Sequence, residues 1–290
     1  MSPRLAGRRT VITGANRGLG LAMAERFLAE GADVALGARD VQLLSESADR
    51  LRALFPQRII VAKELDVTSE ASCTAFVASA AGRLGTIDVL INNAGVYGPM
   101  GSVEDADMVA WASAIQTNLM GSVLMVRAVL PAMKAARRGA IIQVSGGGAT
   151  NPLPNMSAYA ASKAAVVRFA ETLAIEVEPY GVTVNSIAPG ALNTRLLDEV
   201  LEAGPQKVGQ DFYERSVQQR ESGGVPLSKG SDLAVFLASD AARGVTGKLI
   251  SAVWDRYEDW PAHLKELSGT DLYTLRRITG RDRGAPWGDA

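Results

Sequence analysis

A chain of 290 residues, 47% hydrophobic and 21% charged, holds enough apolar material for one large core, which excludes a disordered chain. Its formal net charge of -1 excludes the basic field that nucleic acid or an anionic membrane surface attracts. The one cysteine, Cys73, excludes an intrachain disulfide and a thiol-metal cluster, and it fits a reducing, cytoplasmic compartment.

The first nine residues are basic, but the apolar stretch after them is broken at once by Gly14, Asn16, Arg17 and Gly18, which a signal-peptide core does not tolerate. No apolar run suggests the roughly 20 residues of a spanning helix. Short β-rich runs then alternate with longer stretches of helical period: TVITG and LGLAMAERFLAE, ADVALGA and VQLLSESADRLRALF, RIIVAKELDV and SEASCTAFVASAAGRL. The alternation continues through IDVLINNAG, a long helix ending near Met133, GAIIQVSG, a helix over roughly 157–178, GVTVNSIAPG and a last strand in KLISAVWD. Strands this continuously apolar are covered on both faces. The pattern predicts a single α/β unit, a doubly wound parallel sheet of Rossmann type with about seven strands.

Two segments fall outside the alternation. Residues 191–228 are polar, glycine-containing and weakly helical, which predicts a substrate loop or lid within a main domain spanning 1–254. Residues 255–290 form an extension carrying Tyr257, Trp260, Leu264, Leu267, Leu272, Tyr273, Leu275, Ile278 and Trp287, too much apolar surface to leave in water. Packing on the domain, contact with a neighbouring subunit and capping of the substrate cleft all satisfy that requirement. His263, in this tail, has no sequence partners for a metal site and reads as a surface residue.

Thr13–Gly20 reads TGANRGLG between the first strand and the first helix. Glycines at 14, 18 and 20 allow a sharp turn and close backbone approach, and the helix start supplies N–H groups and a positive dipole end for a pyrophosphate. Gly14, Asn16, Arg17, Gly18, Leu19 and Gly20 are therefore the candidate phosphate-side contacts. Further on, Tyr159 and Lys163 stand four residues apart on one predicted helix, so both side chains project from the same face. An ammonium beside a phenol favours the phenolate and brings an ordinary tyrosine pKa near 10 towards neutrality.

The glycine spacing GxxxGxG, then NNAG at Asn92–Gly95, Asn118 in TNLMG, YAASK from Tyr159 to Lys163, and Pro189-Gly190 with Thr194 four residues on resemble the short-chain dehydrogenase/reductase family in order and spacing. The resemblance covers residues 8 to about 254. It implies NAD(P)(H) binding, strand order 3-2-1-4-5-6-7, a small carbonyl or alcohol substrate, and homodimers or homotetramers. It also implies that Tyr159 is the acid/base, that Lys163 bonds the nicotinamide ribose, and that Asn118 belongs to a proton relay. Asp66 and Val67 resemble the family's adenine-contacting pair, Asn92, Ala94 and Gly95 its cofactor lining, and Pro189, Gly190 and Thr194 its nicotinamide-side contacts. Turn chemistry and sheet support are the competing readings for Asn92.

The residue ending the second strand meets the adenosine ribose, where an acid selects NAD and an arginine accommodates the 2′-phosphate of NADP. Here the strand ends Gly37-Ala38-Arg39-Asp40, so Arg39, with Arg17 as a second cation, favours NADP(H). Asp40 leaves NAD(H) use open. One position departs from the family pattern: thirteen residues before the tyrosine, where the family has a serine, stands Gly146. Ser145 is one residue earlier, which on a regular strand points to the opposite face unless the following glycines carry a bulge. Ser145, Thr150 and a backbone N–H compete for the substrate oxygen. The sequence predicts a hydride-transferring oxidoreductase, with a weakly catalytic cofactor-binding regulator or an epimerase or dehydratase as alternatives.

Overall fold

The computed structural model describes residues 3–285 and Trp287. The first unit runs from β1 (Arg9–Thr13) through α1 (Gly18–Ala29) to β2 (Asp33–Ala38), followed by α2 (Val41–Leu54), β3 (Ile60–Glu64), α3 (Glu70–Leu84) and β4 (Val89–Asn92). The second half begins with α4 (Met108–Ile115) and α5 (Gly121–Ala136), joined without a break by a π-helical turn over Gln116–Met120. Then come β5 (Gly139–Val144), α6 (Ser157–Val177), β6 (Val182–Ala188), a helical excursion, α10 (Leu227–Ala238) and β7 (Leu249–Ser251).

All seven strands pair in parallel in the order β3-β2-β1-β4-β5-β6-β7, as the alternation and the resemblance predict. Parallel pairing requires each connection to cross a face of the sheet, and alternate strand residues feed the two cores so formed. Ile12, Ile91 and Ile142 enter one core with α1, α2 and α10. Val11, Leu90 and Ile141 enter the other with α3, α5 and α6. Between β1 and β4 the chain changes its direction of growth across the sheet, which opens a crevice at the strands' carboxyl ends.

Three details differ from the sequence expectation. The segment predicted as a loop over 191–228 contains α7 (Arg195–Ala203), α8 (Pro205–Val208) and α9 (Gln210–Ser222). Gly204 and Gly209, both at positive φ, keep α7 and α8 short, and the polar composition of α9 masks its period. The last strand is confined to three residues because Asp255 accepts the Ser251 N–H at 2.7 Å and turns the chain away. The continuous helix Met108–Ala136 is long and apolar enough to cross a membrane by length and composition, although no such run stands out in the sequence. It nevertheless lies against the sheet through Leu124, Met125 and Val129, and it buries Thr117, Asn118 and Ser122.

The tail after β7 packs on its own chain. Tyr257, Trp260 and Leu267 join the core on the α1 and α10 side. Farther along, Lys248 Nζ donates to the Thr270 and Leu272 carbonyls at 3.3 and 2.9 Å, and the Leu249 N–H donates to Tyr273 O at 2.8 Å. The tail thus gives β7, otherwise an open sheet edge, a backbone partner. Glu171 of α6 accepts the Leu275 N–H at 2.7 Å, and Arg168 bonds both Glu171 and the Leu275 carbonyl. Leu272, Tyr273, Ile278 and Trp287 remain exposed.

Candidate active site

One cleft of about 1420 Å³ lies along the carboxyl ends of the strands. Its floor at β1 is the glycine turn. Gly14 and Gly18 have φ of +62° and +55°, a region that side chains rarely adopt. Gly20 is required for a different reason: a Cβ there would lie 2.4 Å from Gly14 O and 2.5 Å from Asn93 Nδ2. Asn93 holds the turn by donating to the Thr13 and Gly14 carbonyls at 3.0 Å each, while Thr13 Oγ1 accepts the Asn93 and Ala94 N–H groups. This lacing joins the ends of β1 and β4 at the switch point. α1 starts with no side-chain cap, so its first N–H groups face the cleft without a competing protein acceptor, as a bound pyrophosphate requires.

Gly14, Asn16, Arg17, Gly18, Leu19, Arg39, Asp66, Val67, Ala94, Gly95, Tyr159, Lys163, Pro189, Gly190 and Thr194 all line this cleft. Gly20 stands just beneath it. Asn92 does not line it: its amide donates to the Ser122 carbonyl at 3.2 Å and ties the sheet to α5, the structural role weighed for it from the sequence. At the β2 end, Asp40 caps α2 by accepting the Leu43 N–H, and its other oxygen lies 3.9 Å from Arg17. Asp66 is held below its ordinary carboxylate range, first by the Thr68 backbone N–H and then by the Thr68 hydroxyl.

Tyr159 and Lys163 project from one face of α6 into the cleft, as their spacing predicts. Lys163 is buried, its Nζ donates to the Val144 carbonyl at 2.7 Å, and burial pushes it down to about 8. Its Nζ lies 5.7 Å from the centroid of the Tyr159 ring. The Tyr159 phenol is shifted upward, first by burial and then by the neighbouring Tyr97 phenol. This is the reverse of the depression expected from a lysine partner. Desolvation penalises the phenolate more than a lysine aimed at a backbone carbonyl rewards it.

Asn118 sits in the π-helical turn behind Gly95, an irregularity of the kind that re-aims a single side chain. Its amide is saturated: Oδ1 accepts the Val96 N–H, and Nδ2 donates to Val96 O and to Ser162 Oγ, each at 2.8 Å. It is 1% exposed and does not line the cleft. Ser145 lies at the cleft but is buried, and its hydroxyl donates to the Lys163 carbonyl at 3.5 Å. Gly146 is extended, with φ of 177°, and a Cβ there would lie 2.8 Å from the Tyr159 hydroxyl. The missing side chain is thus the space that the Tyr159 oxygen uses.

The substrate side of the cleft contains residues that motif reading missed. Tyr97 packs edge-on against Tyr159, with ring centroids 4.6 Å apart. Around the pair lie Leu153, Met156, Val200 and Phe212 in a small apolar cluster, with the α7–α9 excursion forming one wall. The available signal for Tyr97 was its position, two residues past NNAG at a strand's carboxyl end. Trp254, 85% exposed, and Asp255 stand at the rim, whereas no described residue from 256 onward lines the cleft.

A family model described as short chain dehydrogenase matches residues 8–204. A trans-4-hydroxycyclohexanecarboxylate dehydrogenase of Sinomonas cyclohexanicum is 37% identical over 256 residues, covering 85% of this chain and 92% of that protein. Among solved structures, an NAD+-bound xylitol dehydrogenase superposes with TM-score 0.79 at 27% identity, over 86% of this chain and 98% of the other. A gluconate 5-dehydrogenase of Burkholderia cenocepacia J2315, in complex with NADP and tartrate, superposes with TM-score 0.75 at 27% identity, over 86% and 95%.

Proposed function

This chain belongs to the short-chain dehydrogenase family and is an NAD(P)-dependent oxidoreductase of CH–OH groups; on that premise we propose that it couples NADP(H) to a secondary alcohol or ketone, with Tyr159 as the acid/base. The observation that carries this reading is the convergence of the glycine turn, Pro189-Gly190 and the Tyr159–Lys163 pair on one cleft. Gly14, Gly18 and the start of α1 fit the pyrophosphate, and Arg39 and Arg17 supply cations at the end of β2 for a 2′-phosphate. Asp40 uses one oxygen for the α2 cap and faces Arg17 at 3.9 Å with the other, so the cations Arg39 and Arg17 are what supports NADP(H) over NAD(H).

The bound nicotinamide supplies or accepts the hydride. Tyr159 gives its proton to the substrate oxygen during reduction and recovers it from solvent. Burial keeps the phenol protonated at neutral pH, its competent state as an acid. In the direction of oxidation, added positive charge at the cofactor side favours the phenolate, and Lys163 stabilises it. The half-exposed face of the Met108–Ala136 helix, with Met108, Val109 and Met120 exposed, offers an apolar surface for the homodimers or homotetramers that the family resemblance implies.

The test is a panel of ketones and alcohols, including cyclohexanone, 4-oxocyclohexanecarboxylate and open-chain 2-ketones, followed by NADPH absorbance with wild type and Tyr159→Phe. Turnover that the variant loses by about 10²–10⁴-fold is expected. Equal turnover by the variant removes Tyr159 from the chemistry, and an affinity for NADH equal to that for NADPH overturns the cofactor choice.

A further inference from the structure

Resting on that hydride-transfer reading, we propose that Tyr97 is a catalytic residue: its phenol donates the second hydrogen bond to the substrate oxygen, the role left open by the lack of a serine at position 146. The two side-chain hydroxyls that compete for this role are engaged elsewhere. Ser145 donates its hydroxyl to the Lys163 carbonyl. The Thr150 hydroxyl is directed at the Gly147 carbonyl and accepts from Asn151 Nδ2 at 3.2 Å. Tyr97 and Tyr159, by contrast, both line the cleft, and neither phenol has a hydrogen-bond partner among the described residues.

The backbone around Tyr97 is built to hold it there. Immediately before it, both the N–H and the carbonyl of Val96 are clamped by the Asn118 amide at 2.8 Å. Immediately after it, Gly98 has φ of +75°, and a Cβ there would lie 2.7 Å from Ala114 Cβ, so the segment passes flush against α4. Between these two fixed points the Tyr97 ring meets Tyr159 edge-on at 4.6 Å, and at 146 no side chain separates the Tyr159 oxygen from the substrate space. The saturated Asn118 thereby acquires a positioning role through Tyr97. A donor fixed before the reaction is worth more than one that must be ordered during it.

The two phenols have different tasks. In reduction, the carbonyl π bond breaks, the carbon gains hydride from the reduced nicotinamide, and the oxygen gains the Tyr159 proton. Tyr97 keeps its own proton throughout and only stabilises the developing oxyanion. Its surroundings agree: burial, followed by the Glu199 carboxylate, pushes its phenol up to about 12, and Lys163 lies by Tyr159. Tyr97 therefore stays a neutral donor across the working pH range.

The test compares kcat and KM of wild type, Tyr97→Phe, Ser145→Ala and Tyr159→Phe across pH, using NADPH and the fastest ketone of the panel above. NADPH Kd is measured in parallel by fluorescence. Phenylalanine keeps the ring against Tyr159 and removes only the hydroxyl. Tyr97→Phe is expected to lower kcat about 10²-fold, with NADPH Kd unchanged and the ionisation in the pH profile retained at a lower plateau. Ser145→Ala is expected to stay within about threefold of wild type. A Tyr97→Phe rate within threefold, while Tyr159→Phe is inactive, overturns this role and leaves the hydride-transfer reading standing. Loss of the ionisation in Tyr97→Phe also overturns it, because Tyr97 would then be the acid. A loss explained entirely by weaker NADPH binding assigns Tyr97 to packing and overturns it as well. If wild type reduces no ketone of the panel, the underlying reading falls and takes this one with it.

Discussion

Replacing Lys163 by methionine should make the protein more stable and inactive, because the lysine is held in the fold against its own solvation. Lys163 is 5% exposed, and burial lowers it from an ordinary 10.5 to about 8. At pH 7 the ammonium is charged in folded and unfolded chains alike, and the difference between 10.5 and about 8 corresponds to roughly 3 kcal/mol against the folded state. Methionine keeps an unbranched chain and removes the charge. It forfeits the charge-assisted bond to the Val144 carbonyl, which costs about 1.5–3 kcal/mol. The net expectation is a gain of up to about 1.5 kcal/mol at pH 7, a rise in Tm of up to a few degrees. The sign with pH follows from linkage. The folded pKa lies below the unfolded one, so between pH 8 and 10.5 the unfolded chain binds more protons and wild-type stability rises. The variant's advantage is therefore full below pH 8 and lost towards pH 10.5. Urea unfolding at pH 7 and pH 10 without nucleotide measures it, and taking the difference between the two proteins cancels the other titrating groups. A methionine variant less stable than wild type at pH 7, or an advantage constant with pH, refutes the reasoning.

Arg39→Ala should raise the KM for NADP(H) by about 10-fold or more and leave NAD(H) nearly unchanged, since a charge-assisted phosphate contact contributes roughly 1.5–3 kcal/mol; steady-state kinetics with both cofactors checks this. Gly20→Ala should abolish dinucleotide binding in a protein that still folds, because its Cβ would meet Gly14 O at 2.4 Å; calorimetry together with circular dichroism separates the two effects. Trp260→Ala, at a position 5% exposed in the core against α1 and α10, should cost about 3–5 kcal/mol in urea unfolding without altering NADPH Kd. A Trp260 variant of normal stability would mean that the tail leaves the domain in solution.

Legibility in the sequence followed the range of the interactions. The parallel sheet and the glycine turn were readable because each depends on local chemistry, apolar runs of strand length, crossover helices and glycines that only a tight turn demands, whereas the strand order came from the family resemblance. The α7–α9 excursion was unreadable as helix because glycines cut it short and its exposed residues carry no apolar stripe. The tail was readable as buried but not as to where, since its partners Lys248, Glu171 and Arg168 lie on β7 and α6.

At the site itself, the sequence alone determined that Tyr159 and Lys163 share a helix face, a matter of spacing along one element, and the family resemblance marked Gly146 as standing where a serine is expected. Only the tertiary structure decided what surrounds them. Burial lifts the Tyr159 phenol, the Ser145 hydroxyl bonds the Lys163 carbonyl, and a tyrosine just past the end of β4 stands against Tyr159. Those outcomes depend on desolvation and on contacts between segments distant in sequence, which exist only once the two cores have closed around the sheet.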